Sequence, residues 1–388
     1  MSLIGINQVQ TGMFQASKTK EKAAVTTTAE QTSTENKKTS DGGCLKSYFA
    51  GATKVSFGHP CKTGQFQVKR LQDVPCCCCG KPMLRAQDQQ ICERALARTS
   101  GGELAANIAE YSKYMRADEK ALSTIIAQDA AKTGGDLSTS LRRVGPDLHK
   151  LTGEYANGIL NELNIMAKGS FGTKENPVSD IIADAQKGIK AGRGLDRCDF
   201  VEKLDAATAS LSEEQQGLIQ DLAMNLPQSF EHVQRIHDKY ENRSNGDIAR
   251  RIFSTALTTA EHIHPHSLGG PDDTKNYIAE CAGCNNPRGS MDYADWLKVH
   301  PEYPRKAQEH IEHVQARLIN GEISRDYTTY PVEVRESLSN ESNGRMVLKV
   351  LNPETIERMR AQRKHTGDVT VEDVKKAYEQ QEAETEEV

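Results

Sequence analysis

From residue 90 to residue 257, apolar side chains recur every three or four positions, the spacing that lines one face of a helix. The stretches ELAANIAEYSKYMRADEKALSTIIAQDAAK, LHKLTGEYANGILNELNIMAK, VSDIIADAQKGIK and QGLIQDLAMNLPQSFEHVQRIHDKY all carry it, in good helix formers. In SEEQ, Ser212 and Gln215 have the spacing of a capping box that opens one of these helices. Gly and Pro fall mostly between the segments rather than inside them. Residues 90–257 are therefore expected to form a helical domain, and no internal repeat runs through it.

The pattern changes on both sides. Residues 44–89 hold short apolar pieces punctuated by Gly and Pro, which predict short strands and turns. Beyond a dense polar stretch at 258–300, PRKAQEHIEHVQARLINGEI predicts a helix stopped near Asn320-Gly321. Residues 327–351 predict a mixed linker with one strand. Asn352-Pro353 opens a further helix, Thr370 with Asp373 suggests another, and 366–388 ends as an acidic tail. Residues 1–43 are rich in Ser, Thr and Lys with sparse, unpatterned apolar residues, a disordered leader. The expected architecture is α+β, a mostly helical chain with a small mixed core. That core is split into 44–89 and 258–325 by the helical insertion 90–257, and a linker, helices and tail follow over 326–388.

Composition narrows the classes. A chain of 388 residues implies two or three units. At 37% hydrophobic and 27% charged residues, it can bury a core over part of its length. The net charge of −5 excludes a basic nucleic-acid coat, so any nucleic-acid site must be a local patch. No run of eighteen apolar residues occurs, which predicts no membrane span. The N-terminus lacks the basic start, apolar stretch and small-residue cleavage site of a secretory signal. The expectation is a cytoplasmic protein, or one exported by a specialised secretion system without a cleaved signal peptide. The Ser/Thr-rich leader motivates the second.

Ten cysteines are present, and their layout matters more than their number. Cys76 to Cys79 form the run P-C-C-C-C-G-K-P, and Cys281 and Cys284 form C-A-G-C, while Cys44, Cys61, Cys92 and Cys198 are scattered. Without a signal peptide this layout points to metal binding rather than a disulfide framework. Cys76 and Cys79 make C-x-x-C followed by Gly80, the shape of a zinc knuckle, and Cys281 and Cys284 make a second pair. Together they supply the four thiolates of a closed tetrahedral Zn²⁺ site. Cys79 and Cys281 lie 202 positions apart, against about 15–20 in an ordinary zinc ribbon. One site requires an insertion whose ends return close together. Two unrelated pairs, and Cys77 or Cys78 as a substitute ligand, stay open.

The stretch TAEHIHPHSLGGPDDTKNYIAECAGCNNPRGS holds three histidines at alternate positions, the second cysteine pair and three asparagines. Glu261-His262-Ile263-His264-Pro265, the Gly269-Gly270 turn, Asn276-Tyr277-Ile278, Cys281-Ala282-Gly283-Cys284-Asn285 and Arg288-Gly289 follow in order. This segment resembles the HNH endonucleases of the His-Me finger, or ββα-metal, group, in their cysteine-bearing zinc-binding branch. The steps of 14 from His262 to Asn276 and 9 from Asn276 to Asn285 look ordinary for the family. The resemblance covers about thirty residues here and about ten around Cys76, and does not touch the helical region.

The resemblance implies a metal-dependent endonuclease that hydrolyses phosphodiester bonds, usually in DNA, with RNA not excluded. His262 would be the general base, because a neutral imidazole can take a proton from water near pH 7. Asn276 would brace the loop that holds it. Glu261 and Asn285 would hold one hard ion, Mg²⁺ or Mn²⁺, through oxygen. Arg288 would hydrogen-bond a phosphate, with Arg243, Arg250 and Arg251 as backbone contacts or a solvated helix face. One position departs from the family: Glu261 stands where Asp is commoner, and its extra methylene changes its reach.

Three further readings remain. In the first, His262, His264 and His266 bind one metal from one strand face, but Pro265 disturbs a strand there and Asn276 and Asn285 are left idle. In the second, the same nuclease is a delivered antibacterial or host-directed toxin, with an inhibitor or immunity protein as partner. In the third, the chain is a non-catalytic zinc-stabilised nucleic-acid-binding or scaffolding protein. Tyr293 and Trp296 are expected to pack the helix after the motif. His264 and His266 are expected in solvent or near DNA, and His310 and His313 on a helix surface.

Overall fold

The apolar stripes upstream of the motif become ten helices among the described residues. They are α1 (Ala86–Ala97), α2 (Gly101–Tyr111), α3 (Ala117–Thr133), α4 (Leu137–Val144), α5 (Leu148–Phe171), α6 (Val178–Lys190), α7 (Arg197–Thr208), α8 (Glu213–Ala223), α9 (Phe230–Tyr240) and α10 (Asn245–Ser254). The computed structural model describes residues 69, 71, 73–172, 176–291, 293–300 and 302–386, which lie in one unit, Val55–Val388. The leader at 1–43, on which the delivery reading rests, and Cys44 and Cys61 lie outside the described residues.

Side-chain caps set several helix starts. Asp136 accepts from the Thr139 N–H, and Ser212 and Gln215 form the capping box read from the sequence. Two of the long stripes are each broken into two helices. In 216–240, Pro227 intervenes and Ser229 caps α9 by accepting from the His232 N–H. In 103–132 there is neither Gly nor Pro. The break after α2 falls where Tyr114 and Met115 are buried, with the Tyr114 hydroxyl bonded to Asp73, so tertiary anchoring overrides local propensity.

The motif itself is a hairpin followed by a short helix. Strands β1 (Thr258–His262) and β2 (Tyr277–Cys281) pair antiparallel, with Thr258 opposite Cys281 and His262 opposite Tyr277. Helix α11 (Ala282–Arg288) starts at the next residue, and α12 (Tyr293–Val299) and α13 (Tyr303–Ile319) follow. The fold is therefore α+β, with about 69% of the described residues helical and one small antiparallel sheet among them. No described helix is long and apolar enough to cross a membrane.

The two ends of the helical region meet. Leu84, before α1, pairs as a parallel bridge with Leu257, after α10: the Leu84 N–H donates to the Ala256 carbonyl and the Thr258 N–H to the Leu84 carbonyl, both at 2.8 Å. The Thr258 hydroxyl also donates to the Leu71 carbonyl at 2.8 Å. The apolar clusters follow this arrangement. One joins Leu71, Val74 and Met83 to the hairpin, α12 and α13, while two others fill the space between α1–α4, α9 and α10 and between α5–α9. Tyr293 and Trp296 lie in the first, as the sequence suggests.

Downstream the structure corrects two expectations. Residues 327–351 hold a helix, α14 (Tyr330–Glu341), and no strand among the described residues. The alternation of Val332 and Val334 resembles a strand, but Tyr330, Val334 and Leu338 lie four apart and face the core. Met346, Leu348 and Val350 do alternate with exposed neighbours, yet they lack a ladder. The Gln308 side chain substitutes for one, accepting from the Lys349 N–H at 2.8 Å and donating to the Lys349 carbonyl at 3.2 Å. The last two helices, α15 (Pro353–Thr366) and α16 (Val371–Glu386), begin at the Asn352 and Thr370 signals. Val374 and Tyr378 dock the acidic α16 beside Ile319 of α13.

The second correction concerns His310, which is not on the surface but fully buried at 0% exposure, while His313 is half-buried. Its Nδ1 is 2.7 Å from the Pro75 carbonyl, which only accepts, so Nδ1 carries the proton. The Tyr330 hydroxyl donates to Nε2 at 2.8 Å and accepts the Ala279 N–H at 2.9 Å. One neutral imidazole thus links the segment before Cys76, α13, α14 and β2. Burial holds it down at about 4. The unfolded chain takes up this proton near pH 6.5. Stability supplied by neutral His310 is therefore full above pH 6.5 and is lost as pH falls toward 4. Between pH 7.5 and 5 the loss from this residue should be about 2 kcal/mol. Urea unfolding checks it: His310→Gln should be less stable than wild type at pH 7.5, by about 1 to 3 kcal/mol, and should lose less on acidification.

Candidate active site and metal centre

The segment Pro75–Pro82 folds back on itself. The Cys76 N–H donates to the Lys81 carbonyl and the Gly80 N–H to the Cys76 carbonyl, both at 2.8 Å. Gly80 sits at φ +67°, where a side chain is strained. This turn aims Cys76 and Cys79 at the start of α11, and the Sγ atoms of Cys76, Cys79, Cys281 and Cys284 all lie within 4.8 Å of one another. Cys79 Sγ and Cys281 Sγ are 3.8 Å apart. A tetrahedron with zinc–sulfur bonds of about 2.3 Å has an edge of about 3.8 Å, so the set has the donors and the span to hold zinc.

The cysteine alternatives narrow. Cys77 turns into the core, 3.7 Å from the Tyr303 hydroxyl. Cys78 groups with Glu280 and Cys284. The Cys281 N–H points at Cys76 Sγ, 3.3 Å away. Arg116, the residue before α3, donates to Cys284 Sγ at 2.9 Å and lies 3.5 Å from Cys281 Sγ. Four thiolates around one divalent ion carry a net negative charge, and this guanidinium from the helical region offsets part of it. Nothing in the sequence around Arg116 signals the contact.

Asn276 closes the loop between the strands. Its Oδ1 accepts the His264 N–H at 2.7 Å, and its Nδ2 donates to the His264 and Pro271 carbonyls, each at 2.9 Å. Gly270 makes the closure feasible, because a Cβ there would stand 1.9 Å from the His264 carbonyl oxygen. At the end of β1 the His262 ring packs on the Tyr277 ring, with centroids 4.7 Å apart. Its Nε2 lies 2.9 Å from Asp272 Oδ1, a contact the sequence reading did not anticipate. His264 does not join His262 as a co-ligand. Its Nδ1 lies 3.0 Å from Glu341 Oε2, and its Nε2 lies 3.3 Å from the Leu268 carbonyl. His266 is exposed.

Helix α11 lies across the strands through two side chains. Asn285 Nδ2 donates to Thr259 Oγ1 at 3.0 Å, which leaves the amide oxygen for a ligand. Arg288 pairs with Glu261 Oε1 and donates to the His262 and Ile263 carbonyls at 2.8 and 2.9 Å. The sequence placed Arg288 on a phosphate. The structure puts it inside instead, 4% exposed, where it neutralises Glu261 and pins the end of β1. Glu261 is itself 8% exposed; burial raises its carboxyl above the ordinary range and Arg288 opposes that rise. Glu280, 1% exposed, has its carboxyl pushed well up by burial and then by the Glu261 charge.

Of the adjacent pair Arg250 and Arg251, Arg250 extends into solvent and Arg251 is mostly buried. Arg250 stands 3.7 Å from Glu93 with its side chain 70% exposed, whereas Arg251 pairs with the buried Glu119. Both line a cleft of about 290 Å³ with Lys239, Tyr240 and Arg243.

The placement of Arg288 predicts a stability effect. Arg288→Ala should destabilise the fold by about 3 to 5 kcal/mol in chemical denaturation, because it strands a buried carboxylate. The double variant Glu261→Gln, Arg288→Met should recover much of that loss. A surface phosphate contact would instead change stability by less than about 0.5 kcal/mol.

Comparison with known proteins bears on the same segment. No curated protein and no solved structure matches the chain. Residues 249–290 match the family model described as HNH endonuclease, a span that begins in α10 and takes in the hairpin and α11. Glu261, His262, Asn276 and Asn285 all lie within the span that matches the HNH endonuclease family model, a short stretch of a longer α+β chain.

Proposed function

We propose that this chain is a metal-dependent endonuclease that hydrolyses phosphodiester bonds in DNA, with His262 as general base. The observation that carries the reading is the bracing of the loop after His262 by Asn276 within a hairpin that continues directly into the helix bearing Asn285. The remaining polar groups of the HNH segment then have complementary roles. A neutral imidazole in a partly exposed position, 20% for the side chain, can take a proton from an attacking water. Cys284 and Asn285 are neighbours, so a zinc ion on the four cysteines would fix the helix that presents Asn285.

The donor set fits a hard divalent ion. Glu261 offers the carboxylate oxygen that Arg288 leaves, and Asn285 offers its amide oxygen. Such an ion, when bound, polarises the scissile phosphate and stabilises the departing oxygen. His262 removes the proton from water, Asn276 keeps the loop closed, and Arg288 holds β1 in register with α11. Arg250, Arg243 and Lys239 line one cleft and are exposed, a local stretch of positive charge that suits a phosphate backbone. DNA, rather than RNA, is the substrate the family resemblance favours.

A nicking assay on supercoiled plasmid with Mg²⁺ tests this directly, with EDTA and a structured RNA as further arms. Wild type should nick DNA, EDTA should abolish nicking, and His262→Ala should lower the rate by about 10²- to 10⁴-fold while keeping its zinc and its unfolding midpoint. Cleavage by His262→Ala at the wild-type rate would refute the assignment.

A further inference from the structure

We propose that Asp272 is a positioning residue that sets the tautomer of His262, and that Tyr277 holds Asp272 in place. The proposal rests on the reading of His262 as general base. A neutral imidazole has two tautomers, and only a ring nitrogen without hydrogen can accept a proton. Asp272 Oδ1 lies 2.9 Å from Nε2. An ionised carboxylate only accepts, so this contact requires the hydrogen on Nε2 and leaves the lone pair on Nδ1.

The carboxylate is itself held. The Tyr277 hydroxyl donates to the same Oδ1 at 3.0 Å. Tyr277 is fully buried at 0% exposure and stands opposite His262 in the strand register. The backbone beside Asp272 is anchored as well, because Asn276 Nδ2 bonds the Pro271 carbonyl. Tyr277 thus grips His262 twice, once by ring contact and once through Asp272, and the loop that Asn276 closes is the loop that delivers the carboxylate.

The step balances. A water O–H bond breaks, its proton goes to Nδ1, and its oxygen bonds to phosphorus as the bond to the leaving oxygen breaks. The leaving oxygen takes its proton from solvent. The imidazolium formed at His262 then faces Asp272, which stabilises the charge without accepting the proton. The device resembles the orientation of a base by a third group in other hydrolases, but here the third group sits ten positions further along the same loop.

The test combines kinetics with nitrogen NMR of ¹⁵N-histidine-labelled protein, the His262 signals being identified by their loss in His262→Gln. Wild type should show the Nε2–H tautomer at His262, and Asp272→Ala should show a mixture of tautomers. In plasmid nicking, Asp272→Ala should lower kcat by about 10- to 100-fold, with KM, zinc content and unfolding midpoint unchanged. Tyr277→Phe should give a smaller fall, and Asp272→Asn should retain part of the activity. An unchanged tautomer in Asp272→Ala would overturn the proposal, as would an activity loss that raised Mg²⁺ restores, since that would mark Asp272 as a metal ligand. A wild type that shifts tautomer with Asp272 but never nicks DNA would leave the positioning role standing and remove the nuclease reading.

Discussion

The convergence of four sulfur atoms is the constraint on which the rest depends. Cys76 and Cys79 come from one end of the chain's longest excursion and Cys281 and Cys284 from the other, yet their Sγ atoms lie within 4.8 Å of one another. Closing a flexible loop of this length costs about 5 kcal/mol on the chain-entropy scale. An ion on the four cysteines would not bear that cost alone. The Leu84–Leu257 bridge already brings the ends of the helical region together, and Arg116 reaches from that region to Cys284. The helical region and the cysteine cluster therefore stabilise the same closure from two sides.

The proposed chemistry inherits its precision from that closure. Cys284 and Asn285 are consecutive, so whatever fixes one fixes the other. Arg288, one turn on, ties α11 to Glu261 and to the carbonyls at the end of β1. On the far side of the strand, Tyr277 and Asp272 hold the His262 ring. The strand end is thus held from the helix side by Arg288 and from the loop side by Asn276. A change in the cysteine cluster would be felt at His262 through covalent neighbours and buried pairs, with no long-range pathway required.

Much of this was legible in the sequence, and the rest was not, for identifiable reasons. The helical spacing, the Ser212 and Asn352 caps, the ββα order and the role of Asn276 as a brace all follow from local pattern or from the HNH resemblance. Residues 327–351 read as a linker with one strand, because the spacing of four that places Tyr330, Val334 and Leu338 inside α14 shows only over a longer window. His310 looked like a surface histidine because its partner, Pro75, is 235 positions away. Arg288 reads as a phosphate contact in the sequence, whereas the direction of its side chain is set by Glu261 and the carbonyls it meets in the fold. Asp272 lay within a polar turn, and its choice of His262 is set by the hairpin register, which no single residue encodes. Arg116 belongs to a helix start with no motif around it.

The claim beneath all of this is that one zinc ion joins Cys76 and Cys79 to Cys281 and Cys284. X-ray absorption at the zinc edge of the purified full chain tests it most directly. The expected result is one zinc per chain with four sulfur neighbours at about 2.3 Å. Nitrogen or oxygen among the ligands, or a fully folded chain that holds no zinc, would contradict it.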